Sequence, residues 1–349
     1  MTANREKELI EIINSTPNTT WQAGSYPNKV YQFNIIPKNT TEIDSKIKKL
    51  FGFFKLSYEI PVQFDARVKW SSINSNSTDK CPSIKKVFNN GKCKCGWAVA
   101  IASVLSDRQC IASEYKIKHS MSAHYLISCC KHCCGCNGGN IRSAWEFVKH
   151  KGIVTGGPYK SNLVISINDN GCQPFMTPPC QRTFECSTET SLIPECMEKT
   201  CRSHKVNDEI IKAEFIKTYV IDYLSLPRKH PSEIMKDLME YGPLQVSMHM
   251  YEDFRVYTTG IYTHIVGEFE GDHAVKLIGW GTDNGHKYWL LINSFGYLWG
   301  ENGTFRIPRD GSDNTEFGYA IISPIVGKAI QPTTCKIIIL YFYLAILLV

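Results

Sequence analysis

The sequence predicts an α+β protein of two lobes, helical in its first half and rich in β-strand in its second. Three observations carry that expectation. Residues 97–105 form an almost unbroken run of apolar side chains, which with its flanks reads as a buried helix. Residues 274–280 and 287–292 read as strands joined through Asp283-Asn284-Gly285, a strong hairpin signal. Between the two halves, residues 129–201 are rich in Cys, Pro, Gly, Thr and Asn, the composition of loops stapled by disulfides.

Along the chain, residues 1 to about 60 stand apart. A short helical pattern over 7–13 carries Leu9, Ile10, Ile12 and Ile13, polar sequence follows, and no cysteine occurs. This stretch reads as an accessory segment, not an independent core. The expected division is therefore 1–60, a main domain over 61–328, and an apolar tail over 329–349. With 43% apolar and 21% charged residues, global disorder is excluded. The 39 basic and 33 acidic residues give a formal charge of +6, spread along the chain without a basic block. Nothing here argues for nucleic acid or an anionic membrane as a partner.

Fifteen cysteines, most of them between Cys110 and Cys201, suit an oxidising compartment. Asn-x-Thr sequons at Asn14, Asn18, Asn39, Asn76 and Asn302 point weakly the same way. The polar start shows no secretory leader, and the expectation is that the true N-terminus lies upstream. The tail over 337–349 is an apolar run of thirteen residues. A spanning helix needs about 20. A membrane tether is not expected, although Gly327 or Ala329 would suit a removable lipid-anchor signal.

At Gly91-Lys92-Cys93-Lys94-Cys95-Gly96-Trp97-Ala98 the chain resembles the nucleophile segment of papain-family cysteine peptidases. Further segments, in order, are similar to the cathepsin B branch. Asn18-Thr19-Thr20-Trp21-Gln22-Ala23-Gly24 resembles its propeptide, with Trp21 as an apolar anchor. Phe64-Asp65-Ala66-Arg67 resembles the start of its mature enzyme. Ser106-Asp107-Arg108-Gln109-Cys110, Cys129-Cys130 and Gly135-Cys136-Asn137-Gly138-Gly139 resemble its left lobe. Asp272-His273-Ala274 and Asn293-Ser294-Phe295 resemble its histidine and asparagine strands. The resemblance covers residues 7 to about 325. It implies a papain-like fold with a helical left lobe, a barrel-like β right lobe, an N-terminal propeptide and a cleft between the lobes.

In that chemistry a thiolate at a helix N-terminus attacks a carbonyl, an imidazole moves the proton, and an amide orients the imidazole. The resemblance assigns His273 as base and Asn293 as the orienting amide. The family's nucleophile stands directly before the tryptophan and three residues after Cys93. Both counts reach Gly96, which has no sulfur. Loss of one member of such a unit can cost about a million-fold in turnover. Cys95 lies one residue early, a rotation of about 100° on a helix, so its thiol is expected to point away from His273. The oxyanion position is Asn90, one methylene shorter than the family's Gln. Asp272 is expected to add bulk and negative charge at the cleft. Gly138, Gly139, Asp272, Phe295 and Trp299 are the expected substrate-binding positions.

The resemblance also implies disulfides Cys81–Cys110, Cys93–Cys136, Cys129–Cys196, Cys172–Cys201 and Cys180–Cys186, and a bridge from Cys130 to Cys133 or Cys134. A second bridge, Cys95–Cys134, is expected between the segments that Cys93–Cys136 joins. A zinc knuckle over 129–136 is the alternative reading of that run. The disulfide assignment leaves no metal and no cofactor in the expectation. In the occluding-loop region, about 172–201, both family histidines are missing. Arg182 stands nearby, and the acidic base of the family's S2 pocket falls at Gly318.

The resulting expectation is a cathepsin B-like homologue without catalysis, lysosomal or extracellular. Its cleft is expected to hold peptide or protein ligands, its own propeptide or a cystatin-like inhibitor. The alternatives are an active cysteine peptidase using Cys95, and a tethered non-enzymatic surface protein.

Overall fold

In the computed structural model, the Gly96–Ala112 helix runs between a helical lobe and a sheet lobe. The described residues are 1–26, 59–71, 80–159, 171–178, 195–201, 204–206, 209–211, 217–218, 220, 222–312 and 314–326. Every residue of this helix from Gly96 to Cys110 is buried, as its all-round apolar composition requires. Two further helices pack in the same lobe. Ala123–Cys129 is capped by Ser122, whose hydroxyl accepts from Tyr125 N at 2.9 Å. Ile141–Lys151 is capped by Asn140 and buries Ile141, Ala144, Trp145 and Val148, one face at helical spacing.

The right lobe is a sheet of seven strands among the described residues. Its long strand, Phe269–Asp283, lies between Leu244–Tyr251 and His286–Ile292, antiparallel to both. Thr304–Pro308 continues one side, and Ala320–Ile325 followed by Asp222–Ser225 the other. The predicted hairpin turns at Asn284 (φ 48°) and Gly285 (φ 85°), with Asp283 opposite His286. Positive φ at both central residues matches the right-handed twist of the strands. Phe64–Asp65 adds to the long strand at Trp280 and Gly279. A Cβ on Gly279 would lie 2.2 Å from Phe64 O, so only glycine allows that approach.

The N-terminal segment, described over residues 1–26, packs on the sheet lobe. Its helix spans Ala3–Ser15, longer than the apolar pattern, because Thr2 caps it and its first turn is polar. Leu9 and Ile13 are fully buried. Trp21–Ala23 pairs with Tyr257–Gly260. Trp21 Nε1 donates to Thr263 O at 2.9 Å, and its ring lies 5.1 Å from that of Tyr262. Leu9, Ile13, Trp21, Ala23 and Tyr26 share one apolar cluster with Phe254, Tyr257, Trp280 and Trp299. Residues 1–26 thus add an apolar layer to the right lobe's core.

Two buried ion pairs fasten the central helix to the sheet lobe. Asp107 meets Lys276 of the long strand at 2.9 Å, and Lys276 also donates to Ser83 O and Ile84 O. Arg108 pairs with Asp237 and donates to Pro243 O at 2.8 Å, Gly242 O at 3.0 Å and Ser323 Oγ at 2.9 Å. Both pairs are almost wholly shielded from solvent.

Among the described residues five disulfides form: Cys81–Cys110, Cys93–Cys136, Cys129–Cys196, Cys130–Cys133 and Cys172–Cys201. Cys180–Cys186, Arg182, Cys335 and the tail lie outside the described residues. The expected Cys95–Cys134 bridge does not form, and both thiols are free. Cys95 is buried in the left-lobe core while Cys134 is exposed to solvent, so the two thiols lie at different depths. Among the described residues no cluster of His, Cys, Asp or Glu could hold a metal ion, and no helix is long and apolar enough to cross a membrane.

Two substitutions test this packing. Lys276→Met leaves Asp107 charged and buried, which destabilises by about 3–5 kcal/mol. Adding Asp107→Asn recovers part of that loss. Urea unfolding of the two variants reads it, and an unchanged midpoint for Lys276→Met would refute the role of the pair. Trp21→Ala costs about 3–5 kcal/mol by the same measurement; a loss below about 1 kcal/mol would refute Trp21 as the anchor of the segment.

Candidate active site

The site begins at the N-terminus of the central helix. Gly96 is its first residue and Cys95 its N-cap. The Cys95 carbonyl accepts from Ala98 N at 2.9 Å and Val99 N at 3.1 Å. The helix dipole therefore points its positive end at this spot. Trp97 is fully buried, and its Nε1 donates to Gly135 O at 3.1 Å. Gly139 lies against the indole, where an added Cβ would sit 2.2 Å from the ring. Gly138 turns the chain into this contact at φ 96°.

Across the interface, His273 comes from the long strand and Asn293 from the end of the neighbouring one. His273 Nε2 lies 2.7 Å from Asn293 Oδ1. The same oxygen accepts from Ser294 N at 2.8 Å, so it is the acceptor and Nε2 carries the proton. Nδ1 is then the basic nitrogen. His273 is fully buried, and burial pushes its pKa down to about 4 against the opposing pull of the Asn293 hydrogen bond. The Phe295 ring lies 5.2 Å from the imidazole and 5.3 Å from Trp299. Gly96, Ala274, Asn293 and Ser294 line one narrow space between the lobes. The fold thus brings Gly96 and the imidazole–amide pair to the same interface.

Other expected residues sit differently. Asn90 is buried, its Nδ2 donates to Ser294 Oγ at 2.9 Å, and its backbone N donates to Ser294 O. The shortened amide is committed to the right lobe and is not presented to a substrate. Asp272 does not stand as an open charge at the cleft. It is buried directly opposite His249, with Oδ1 3.3 Å from His249 Nε2, and Tyr319 packs on the His249 ring. Successive strand residues face opposite sides, so Asp272 leaves the face that His273 occupies. Trp299 is only 1% exposed and donates to Arg255 O, which makes it a core residue and not a contact surface. Gly318 takes φ 76° and donates its N–H to Ser247 O. His249 was not singled out in sequence, because only strand register places it opposite Asp272.

Cys95, the displaced candidate nucleophile, is fully buried, and burial pushes its thiol pKa far up.

A helical lobe that aims a helix N-terminus at an imidazole–amide pair on a sheet lobe defines the two-lobed thiol-peptidase class. Residues 63–325 match the family described as papain family cysteine protease, and the chain belongs to that family. It is 35% identical over 318 residues to the cathepsin B-like cysteine proteinase 6 of Caenorhabditis elegans, covering 86% of this chain and 78% of that protein. It is 31% identical to a cathepsin B-like cysteine proteinase of Schistosoma japonicum, over 91% of this chain and 90% of that one. Among solved structures, procathepsin B S9 from Trypanosoma congolense superposes with a TM-score of 0.67 at 25% identity, covering 94% of this chain and 99% of that one. A digestive procathepsin L 3 of Tenebrio molitor shares the fold with a TM-score of 0.57 at 17% identity, covering 93% and 90%.

The depressed His273 pKa has a stability consequence. The unfolded imidazole binds a proton near pH 6.5, the folded one only near 4. Between these values the unfolded state binds more protons, so stability falls as pH drops through the window, by roughly 3 kcal/mol at most. Below pH 4 both states are protonated and this contribution is lost. Urea midpoints from pH 7 to pH 4 should slope less steeply in His273→Gln than in wild type. Parallel slopes would show that His273 is not buried neutral.

Proposed function

We propose that this chain is a cathepsin B-like homologue without peptidase activity, whose cleft takes peptide-like ligands without cleaving them. One observation carries the reading: Gly96, with no side chain, opens the helix at the place where a thiol would have to face His273. The motif counts from Cys93 and from Trp97 meet at this residue. Three features support the same conclusion. Burial keeps the Cys95 thiol protonated, burial keeps His273 neutral, and Asn90 is tied to Ser294. The first leaves no ionisable thiol at the site and the third withdraws the oxyanion amide, while the second is the state an imidazole takes with no thiolate facing it. The alternative of an active peptidase using Cys95 would require that thiol to leave the core and ionise.

The first 60 residues act as a propeptide-like segment of the domain over 61–328. Similarity to proforms supports the chain's own segment as one ligand. A cystatin-like inhibitor that wedges into the cleft is the second ligand class. The five disulfides favour an oxidising, lysosomal or extracellular setting.

A fluorogenic dipeptidyl substrate tests the proposal on wild type, Cys95→Ser and Gly96→Cys. Wild type and Cys95→Ser should both be silent, and Gly96→Cys should gain turnover by at least about a thousand-fold over background. Wild-type turnover that disappears in Cys95→Ser would overturn the reading. Binding of a cystatin-like inhibitor to the silent protein, by calorimetry, checks the retained cleft; no heat of binding would remove that part.

A further inference from the structure

Three cysteines crowd one turn of the helical lobe. Cys130 and Cys133 are bridged, while Cys134, the next residue, is a free and exposed thiol. The turn is a three-residue 3-10 segment, Lys131–Cys133, closed by Cys133 N donating to Cys130 O at 2.9 Å. Cys134 follows at φ 62°, a left-handed conformation that a residue with a Cβ rarely holds. Its Cα is one peptide, about 3.8 Å, from that of Cys133. Sequence alone leaves the partner of Cys130 open between these two, and the folded chain keeps both within one turn of it.

We propose that this turn is a thiol–disulfide exchange site, with Cys134 as the attacking thiol and Cys133 as the leaving group. Cys134 loses its proton to water, and its thiolate attacks Cys130 Sγ. The Cys130–Cys133 bond breaks as Cys130–Cys134 forms, and Cys133 leaves as a thiolate that takes a proton back from water. One S–S bond replaces another, so no external oxidant or reductant is consumed. Cys130 and Cys133 are 4% and 0% exposed, which shuts out thiols from solution. A tethered neighbour needs only opening of a short turn, and its effective concentration exceeds that of any free thiol.

The other free thiol, Cys95, takes no part because it is sealed in the core. The exchange also abuts the cleft. Gly135 directly follows Cys134, and its carbonyl holds Trp97 Nε1. Cys136, one residue further, is bridged to Cys93. The exchanging turn therefore adjoins the backbone that seats Trp97. Neither the exchange nor its test depends on peptidase activity.

The full chain is held without reductant at mildly alkaline pH, which favours thiolates. It is then quenched with N-ethylmaleimide at different times, digested unreduced and mapped by mass spectrometry. The expected result is maleimide on Cys134 in the main species, and a second species with maleimide on Cys133 and a Cys130–Cys134 bridge that grows with time. Samples held at acid pH should lack that growth. In Cys133→Ser the bridge should move to Cys130–Cys134, while Cys134→Ser should leave no label in the segment. Wild type that never labels at Cys133, or Cys133→Ser with free thiols at both Cys130 and Cys134, overturns the proposal.

Discussion

The geometry of the site depends on how the central helix is fastened to the sheet lobe. Asp107 and Arg108, adjacent on that helix, reach Lys276 on the long strand and Asp237 on the Pro231–Tyr241 helix. Buried charges are expensive to desolvate and add little net stability. Their directionality is what matters here, because an unpaired charge at this depth cannot be tolerated. The two pairs fix the rotation and height of the helix against the sheet. Its first residue, Gly96, then meets the wall that carries Ala274, Asn293 and Ser294.

Within that frame the residues around the cleft also have structural work. Trp97 fills the left-lobe core, Phe295 and Trp299 fill the right, and Asn293 bridges His273 to the backbone of Ser294. Gly96, at the helix start, takes part in none of these contacts. Burial pushes the His273 imidazole towards its neutral form, against the pull of its hydrogen bond to Asn293.

The N-terminal segment shows the same economy of contacts. Its side chains close over the aromatic cluster of Phe254, Tyr257 and Trp299, and its strand meets Tyr257–Gly260 edge to edge. Arg5 reaches Glu252 at 2.8 Å and holds that carboxyl below its usual range, although burial acts the other way. The attachment of residues 1–26 is thus mainly apolar and backbone-mediated, with the Arg5–Glu252 pair at its edge.

What the sequence determined by itself was local. The apolar run after Cys95, the Asn-Gly turn, the Trp21 anchor and the motifs around Trp97, His273 and Asn293 are each short patterns whose meaning lies in neighbouring residues. The start of the long strand at Phe269 was not legible, because Glu270, Gly271 and Asp272 show no alternation of apolar and polar residues. Only pairing with Leu244–Tyr251 places them in the sheet. Tertiary structure alone decided that Asp272 faces His249, that Asn90 binds Ser294, that Cys95 and Cys134 lie too differently buried to join, and that Cys130 takes Cys133. Each of these is a meeting of residues set by register or by depth, and neither quantity is encoded in spacing along the chain.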